Sequence, residues 1–287
     1  MRHSSIRSEL WGDEFTVNTA RTSKSQKWPA RWDRRIIRVH ELQSEYAAAK
    51  SILKFYEVIL KYQANVACNS SSTTRSGIAL REQFELSSLV SAMPSLLTAT
   101  IENGTKLLCS EAQRLQHEGE GYWRTLLETA VKGDASALSA TEDFFARTCL
   151  QPAAENLQVQ TPPVSHYIGT TCPICGGLAQ LAVLRPEGEG ASRSLHCSFC
   201  LHEWPFRRIA CPWCGEEDKE KLPRYTPDEC DSVHVEACET CKRYLKAVDM
   251  SKNGLAVPLV DEASWPALDI WAADHGYTKI IRNLVGF

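Results

Sequence analysis

Four CxxC pairs crowd the stretch between positions 172 and 241: Cys172–Cys175, Cys197–Cys200, Cys211–Cys214 and Cys238–Cys241. No other feature constrains the fold as strongly. Two intervening residues let both sulfurs of a pair turn toward one ion, and a tetrahedral metal takes four thiolates at about 2.3 Å. In "CPICG" and "CPWCG" the proline stiffens the turn, and the glycine after the second cysteine tolerates positive φ. The chain has 12 cysteines, but Cys68, Cys109 and Cys149 are scattered upstream of this stretch. Nothing near the start resembles a secretory signal, and "DRRII" is followed by no apolar run, so neither secretion nor twin-arginine export is expected. No run approaches a membrane span. A cytoplasmic location is expected, and there clustered cysteines point to metal rather than disulfides.

An internal repeat sets the pairing. The interval from Cys172 to Cys197 is 25, and that from Cys211 to Cys238 is 27. Each unit reads CPxCG, a two-strand segment, then a second CxxC. Two small ribbons are expected, with Cys172, Cys175, Cys197 and Cys200 at site one and Cys211, Cys214, Cys238 and Cys241 at site two. The competing pairing of Cys197/Cys200 with Cys211/Cys214 leaves a very short segment between pairs, too short for a comfortable ribbon hairpin. A quartet of thiolates leaves no open position for water or substrate. Zinc would be structural, and iron, which also suits soft thiolates, could pass single electrons. A thioredoxin-type role is disfavoured, because each pair is followed by strand-like or turn sequence rather than a helix.

Residues between the cysteines receive supporting roles. His196 and His202 are expected as strand and hairpin residues rather than ligands. Glu203 is expected to be solvated or bonded to backbone, and His234 to lie at the surface of an alternating strand. Cys230 reads either as a free, partly exposed thiol or as a core residue, and the core reading is preferred. Trp204, Trp213 and Tyr244 are expected to cover the metal sites.

The segment 1–160 reads as an all-helical bundle without a chemical motif. After a polar lead-in over 1–30, Ile36, Val39, Leu42, Tyr46, Ala49, Leu53, Tyr56 and Leu60 alternate steps of three and four. That predicts one helix of about eight turns, with Asp33 as N-cap. Further helices are expected near 79–92, 95–115, 120–132 and 140–157, with breaks at "SAMPSLL" and "KGDAS". Cys149 reads as a small buried apolar residue. "QTPPVSHYIGTT" at 160–171 is a linker. Strands are expected at 178–184, 193–197, 232–238 and 243–250. A last helix, capped by Ser264 with Pro266 in its first turn, runs to Gly276 and turns Trp265, Leu268, Trp271 and Ala272 to the core. The fold class is therefore α+β: a helical domain over 1–160, a first four-cysteine module over 161–210, and a second over 211–287 carrying the C-terminal helix.

"CPICGG…LHCSFCLHEW…CPWCG…VEACETCKRYLK", followed by "DEASWPALDIWAADHGY", resembles the FdhE family of formate dehydrogenase accessory proteins. The resemblance covers about 172–277. It implies rubredoxin-like iron sites at the eight paired cysteines. It also implies a cytoplasmic, non-enzymatic role in formate dehydrogenase activity, with binding to the twin-arginine-targeted catalytic subunit before export. Cys230 lies outside the pattern. Two other readings stand beside this one. The first is an iron redox module in metalloenzyme maturation. The second is a zinc-ribbon nucleic-acid binder using Arg207, Arg208, Lys242, Arg243 and Lys246 near aromatics. The net charge of −3 weighs against the latter.

Overall fold

The computed structural model describes residues 28–70, 74–133, 137–162, 164 and 166–286. The expected polar lead-in lies almost wholly outside the described residues.

The apolar stripe beginning at Ile36 is buried, but it does not lie on one helix. Helix α1 (Ala30–Glu45) ends where Tyr46 adopts extended geometry (φ −116°, ψ 92°). A single 3-10 turn follows, and α2 (Lys50–Asn69) folds back antiparallel. Trp28 donates to Asn65 at 3.0 Å and Gln43 to Glu57 at 3.2 Å, which fixes the hairpin. Spacing cannot reveal the bend, because the steps of three and four continue through it. Trp265, from the far end of the chain, packs edge-on against Tyr46 at 5.0 Å, at the bend. The N-cap position is Pro29, and Asp33 instead places its charge in the first turn, where the helix dipole favours it.

Helix α3 (Leu86–Asn103) runs straight through Pro94, where a break was expected. The surrounding Met93, Leu96 and Leu97 are completely buried, so packing overrides the proline. Helix α4 (Lys106–Lys132) runs through the interval between the helices expected at 95–115 and 120–132, with a kink there at Gly119, φ 76°. Helix α5 (Ala140–Gln158) starts on a capping box in which Ser139 and Glu142 exchange hydrogen bonds. It is buried around nearly its whole circumference, including Phe145, Cys149 and Leu150. Its buried Glu155 takes Arg35 at 2.6 Å and Arg31 at 3.0 Å, tying α1 to the bundle centre.

The C-terminal half forms one seven-stranded sheet. Strands β1 (Ala179–Glu187), β2 (Gly190–Cys197) and β3 (Glu203–Pro205) belong to the first cysteine unit. Strands β4 (Arg224–Tyr225), β5 (Val233–Cys238) and β6 (Arg243–Asp249) belong to the second. The order is β3-β2-β1-β6-β5-β4, so the first strand of one unit meets the last strand of the other. Their seam is parallel, with Leu181–Leu184 of β1 paired to Lys246–Asp249 of β6. Strand β7 (Thr278–Lys279) pairs with the other end of β6. Both outer strands of the six-strand order are very short, which limits the exposed edge.

The helical bundle and the first ribbon share one core, which holds Trp32, Leu53 and Phe145 together with Cys172, Cys197, Phe199 and Trp204. Arg81 bridges them. Its guanidinium donates to Cys175 O at 2.6 Å and to the carbonyls of Ala130 and Val131 at 3.0 and 2.8 Å, and lies 4.1 Å over the Phe199 ring. Gln151 donates to Ser198 O at 2.6 Å.

Instead of one terminal helix there are two, α6 (Pro258–Ala263) and α7 (Pro266–Asp274). Ser264 ends α6, its hydroxyl donating to Asp261 O, while Pro266 opens α7. Leu268 and Ala272 face the core as expected, and Trp265 and Trp271 are half-buried. Arg38 of α1 meets Asp261 of α6 at 2.7 Å. Lys246, expected on a cationic surface, is instead completely buried. Its ammonium contacts Glu262 at 3.1 Å and Asp269 at 2.5 Å, and Lys279 reaches the same carboxylates at 2.5 and 2.8 Å. Tyr244 donates to Asp269 at 2.9 Å and Asn283 to Glu262 at 2.9 Å. The helices that cover β6 remove Lys246 from water, and their two carboxylates balance the two lysines.

Removing one charge from this balanced cluster strands the others. Lys246→Met is expected to lower stability by about 3–5 kcal/mol in urea unfolding followed by circular dichroism. The exposed Lys252→Met is expected to change it by less than about 0.5 kcal/mol. Equal midpoints for the two variants would show that the cluster carries no stability.

Candidate metal centres

Each quartet assembles from two turns of the same construction. In the first turn Cys172 N donates to Gly177 O at 2.8 Å and Gly176 N to Cys172 O at 2.9 Å. The same pair of bonds recurs at Cys211, with Glu216 O and Gly215 N, at 2.8 and 3.0 Å. Cys197 N reaches His202 O, and Lys242 N reaches Cys238 O, both at 2.9 Å. The residue after the second cysteine takes positive φ in all four turns: Gly176 at 71°, Leu201 at 59°, Gly215 at 78° and Lys242 at 54°. The glycines adopt this freely, whereas Leu201 and Lys242 are held there by the turn. Backbone N–H groups aim at sulfur as this geometry requires. Gly177 donates to Cys175 Sγ at 3.4 Å, Phe199 to Cys197 Sγ at 3.3 Å and Trp213 to Cys211 Sγ at 3.4 Å.

The turns bring together the quartets expected from the repeat. Cys172, Cys175, Cys197 and Cys200 form one, and Cys211, Cys214, Cys238 and Cys241 the other. Sulfur–sulfur separations are 3.6 Å for Cys172–Cys200 and 3.4 Å for Cys175–Cys197. They are 3.7 Å for Cys211–Cys241 and 3.6 Å for Cys214–Cys238. A tetrahedron with metal–sulfur bonds of about 2.3 Å has edges of about 3.8 Å, while a disulfide needs about 2.05 Å. The spacing therefore fits a metal ion and excludes disulfides in this arrangement. Gly177 makes that approach possible, since a Cβ there would stand 2.9 Å from Cys197 Sγ and 3.2 Å from Cys175 Sγ.

Electrostatics point the same way. Hydrogen bonds from Cys172, Cys197 and Cys200 hold the Cys175 thiol far below its usual range. Burial pushes Cys197 up, and contacts with the other three thiols push Cys200 up. Four thiolates cannot ionise together in this buried space unless a cation supplies the opposing charge. The two quartets could each hold a metal ion, and they differ in exposure. All four cysteines of site one are buried, whereas in site two Cys214 is exposed and Cys241 half-buried.

The residues between the cysteines fall outside both quartets. His196 is buried, and burial holds its imidazole down to about 4, so it stays neutral. His202 Nδ1 meets Gln158 Nε2 at 3.0 Å, and its ring lies nearly parallel to that of Trp204. Glu203 stays partly exposed, as expected, but its bonds go to side chains rather than to backbone. Arg185 reaches it at 2.7 Å and the Ser194 hydroxyl also donates to it, because β3 lies beside β2 with Arg185 one strand further over. His234 is not at the surface. It is completely buried, with Nδ1 2.9 Å from Arg224, because β5 is covered on both faces and alternation no longer marks solvent. Cys230 is buried in the second core beside Ser232. Trp204 is sealed in, its indole donating to Gly169 O at 3.0 Å, and Tyr244 is buried. Trp213 remains 42% exposed, with Arg243 over one face at 3.8 Å. None of the four CxxC pairs opens a helix. The role of Arg81 as a brace on the first turn was invisible in the sequence, since it comes from a distant upstream segment. The positive φ at Leu201 and Lys242 was legible only as the position matching Gly176 and Gly215.

Comparison with known proteins bears on the same segment. Residues 171–208 match the family model "FdhE, central domain" and 209–285 match "FdhE, C-terminal domain". A "Protein FdhE homolog" of Aquifex aeolicus is 25% identical over 272 residues, 87% of this chain and 93% of its own length. One from Pseudomonas aeruginosa is 32% identical over 183 residues, 60% of this chain and 59% of its own. One from Pseudomonas putida is 34% identical over 122 residues, 40% of this chain and 37% of its own. The crystal structure of the FdhE protein from Pseudomonas aeruginosa shares the fold, with a TM-score of 0.67 at 23% identity, covering 90% of this chain and 97% of that one. Over 171–285 this chain is therefore similar to the two FdhE domains, it aligns with one FdhE homolog along nearly that protein's whole length, and it shares the fold of the Pseudomonas aeruginosa FdhE structure.

Proposed function

We propose that this chain is a non-enzymatic accessory factor in the maturation of formate dehydrogenase. It would act in the cytoplasm, docking on the catalytic subunit before twin-arginine export. Cys172, Cys175, Cys197 and Cys200 would hold one iron or zinc ion, and Cys211, Cys214, Cys238 and Cys241 a second. The observation that carries the reading is two tetrahedrally spaced thiol quartets inside the segment that matches both FdhE domains. A filled quartet offers no position to activate water or a substrate carbonyl, which favours a scaffolding or electron-passing use over hydrolysis. Among the described residues, no helix is long and apolar enough to cross a membrane.

The exposure of site two favours a second reading. With iron bound, a centre of four thiolates can pass one electron. Cys214 brings that quartet to the surface, where a client could approach it, while site one lies inside the common core. Site one would then serve shape, and site two would serve redox chemistry.

Deletion of the gene is expected to abolish formate dehydrogenase activity in cells. The intact chain should restore it, and a Cys172→Ser/Cys200→Ser double variant should not. The catalytic subunit is expected to co-purify with the intact chain. Full activity in the deletion strain, with no co-purification, overturns the reading. Purified protein is expected to hold two metal ions per chain and to release them to a chelator in two phases, site two first. Cys211→Ser should remove the fast phase and leave the slow one. A single rate for both ions would contradict the exposure difference. Gly177→Ala, which places a methyl group against two sulfurs of site one, is expected to lower occupancy there and leave site two loaded. Unchanged metal content in this variant would show that the close approach is not needed.

A further inference from the structure

A cavity of about 340 Å³ lies across the seam between the two ribbons. Leu184 and Arg193 come to it from the first unit, and Glu236, Cys238 and Leu245 from the second, so neither ribbon possesses it alone. Cys211 and Cys238 put site two in its wall. Five cations line it (Arg193, Arg208, Lys219, Arg224 and Arg243) against the single carboxylate of Glu236.

Pairing separates these cations from their neighbours in sequence. Arg207 pairs with Glu217, Lys221 with Glu216 and Asp218, and Lys242 with Glu239. Their neighbours Arg208, Lys219 and Arg243 line the cavity and have no carboxylate partner among the described residues. The Arg208 guanidinium donates to the Ala191 carbonyl, and that of Arg243 lies over the Trp213 ring. Arg193 is spent on Glu236 at 2.7 Å and on two carbonyls, and Arg224 lies 3.6 Å from Asp249. Three cationic residues thus line the cavity without a carboxylate partner among the described residues. Ile209, Leu222 and Leu245 give the same cavity an apolar wall.

We propose that this cavity binds a small phosphorylated organic molecule. Its phosphoryl groups would sit on Arg208, Lys219 and Arg243, and its body against Ile209 and Leu222. A carboxylate would answer one of the three charges, whereas a phosphate monoester carries about −1.5 to −2 and a diphosphate more. Guanidinium forks match phosphoryl oxygens in bidentate geometry. The size lies at the lower end of small-molecule sites, which run from about 300 to 1,000 Å³. A nucleic acid strand is disfavoured. It needs a continuous cationic track, and here the flanking Arg207, Lys221 and Lys242 are neutralised by carboxylates. The inference stands on this cavity alone and does not depend on the accessory role.

The test uses the full, metal-loaded chain in isothermal titration calorimetry at low salt. Inorganic pyrophosphate is expected to bind saturably at one site per chain, and adenosine monophosphate to bind more tightly than inorganic phosphate because its body meets the apolar wall. Arg208→Gln/Lys219→Gln is expected to raise the dissociation constant about tenfold or more, and Arg243→Gln to add to the loss. Arg207→Gln/Lys221→Gln, outside the cavity, should leave binding unchanged. Circular dichroism and metal content establish that each variant is folded. No saturable binding of any of the three probes overturns the proposal. So does an equal loss in the outside pair, or an oligonucleotide without terminal phosphates binding in a way that pyrophosphate does not displace.

Discussion

The parallel pairing of β1 with β6 is the constraint on which the C-terminal half depends. Leu181–Leu184 against Lys246–Asp249 is only a short ladder, yet it turns two cysteine ribbons into one sheet. Parallel strands need both faces covered. The helical bundle and the first ribbon share a core, and α6 and α7 lie near β6. The first ribbon is thereby enclosed by the bundle, while the second extends beyond the seam with a smaller core of its own. One thiol quartet is buried as a result, and the other is left at the surface.

That seam also explains the treatment of charge. A lysine on a strand covered by helices must be paired, and Lys246 is, by Glu262 of α6 and Asp269 of α7, which also answer Lys279 of β7. On the outer side of the ribbons, cations sit on a half-open surface where water can solvate them. There the structure separates them into those matched by a neighbouring carboxylate and those left facing the cavity at the seam. Two adjacent residues, Arg207 and Arg208, show the division most clearly.

Much of this was legible in the chain. The periodic stripe marked the buried side of α1 and α2 correctly. The strand boundaries in both ribbons fell within a few positions, since alternating apolar residues between cysteine turns leave little choice. What the sequence misread shares one cause. The bend at Tyr46, the continuation through Pro94, the burial of His234 and Lys246 and the second terminal helix all depend on contacts from distant parts of the chain. At Tyr46 that contact is Trp265, from the opposite end of the chain. Local pattern carries no information about such a partner.

The sequence by itself determined the two sulfur quartets. CxxC spacing sets the turn, the turn aims two sulfurs in one direction, and the duplicated interval brings the second pair of each unit alongside. All of that is local geometry. Only the tertiary structure decided that the quartets differ: site one lies inside a core shared with the helical bundle, and site two stands open beside a cationic cavity. Burial and electrostatic surroundings are sums over neighbours from separate elements, and they acquire values only when those elements pack.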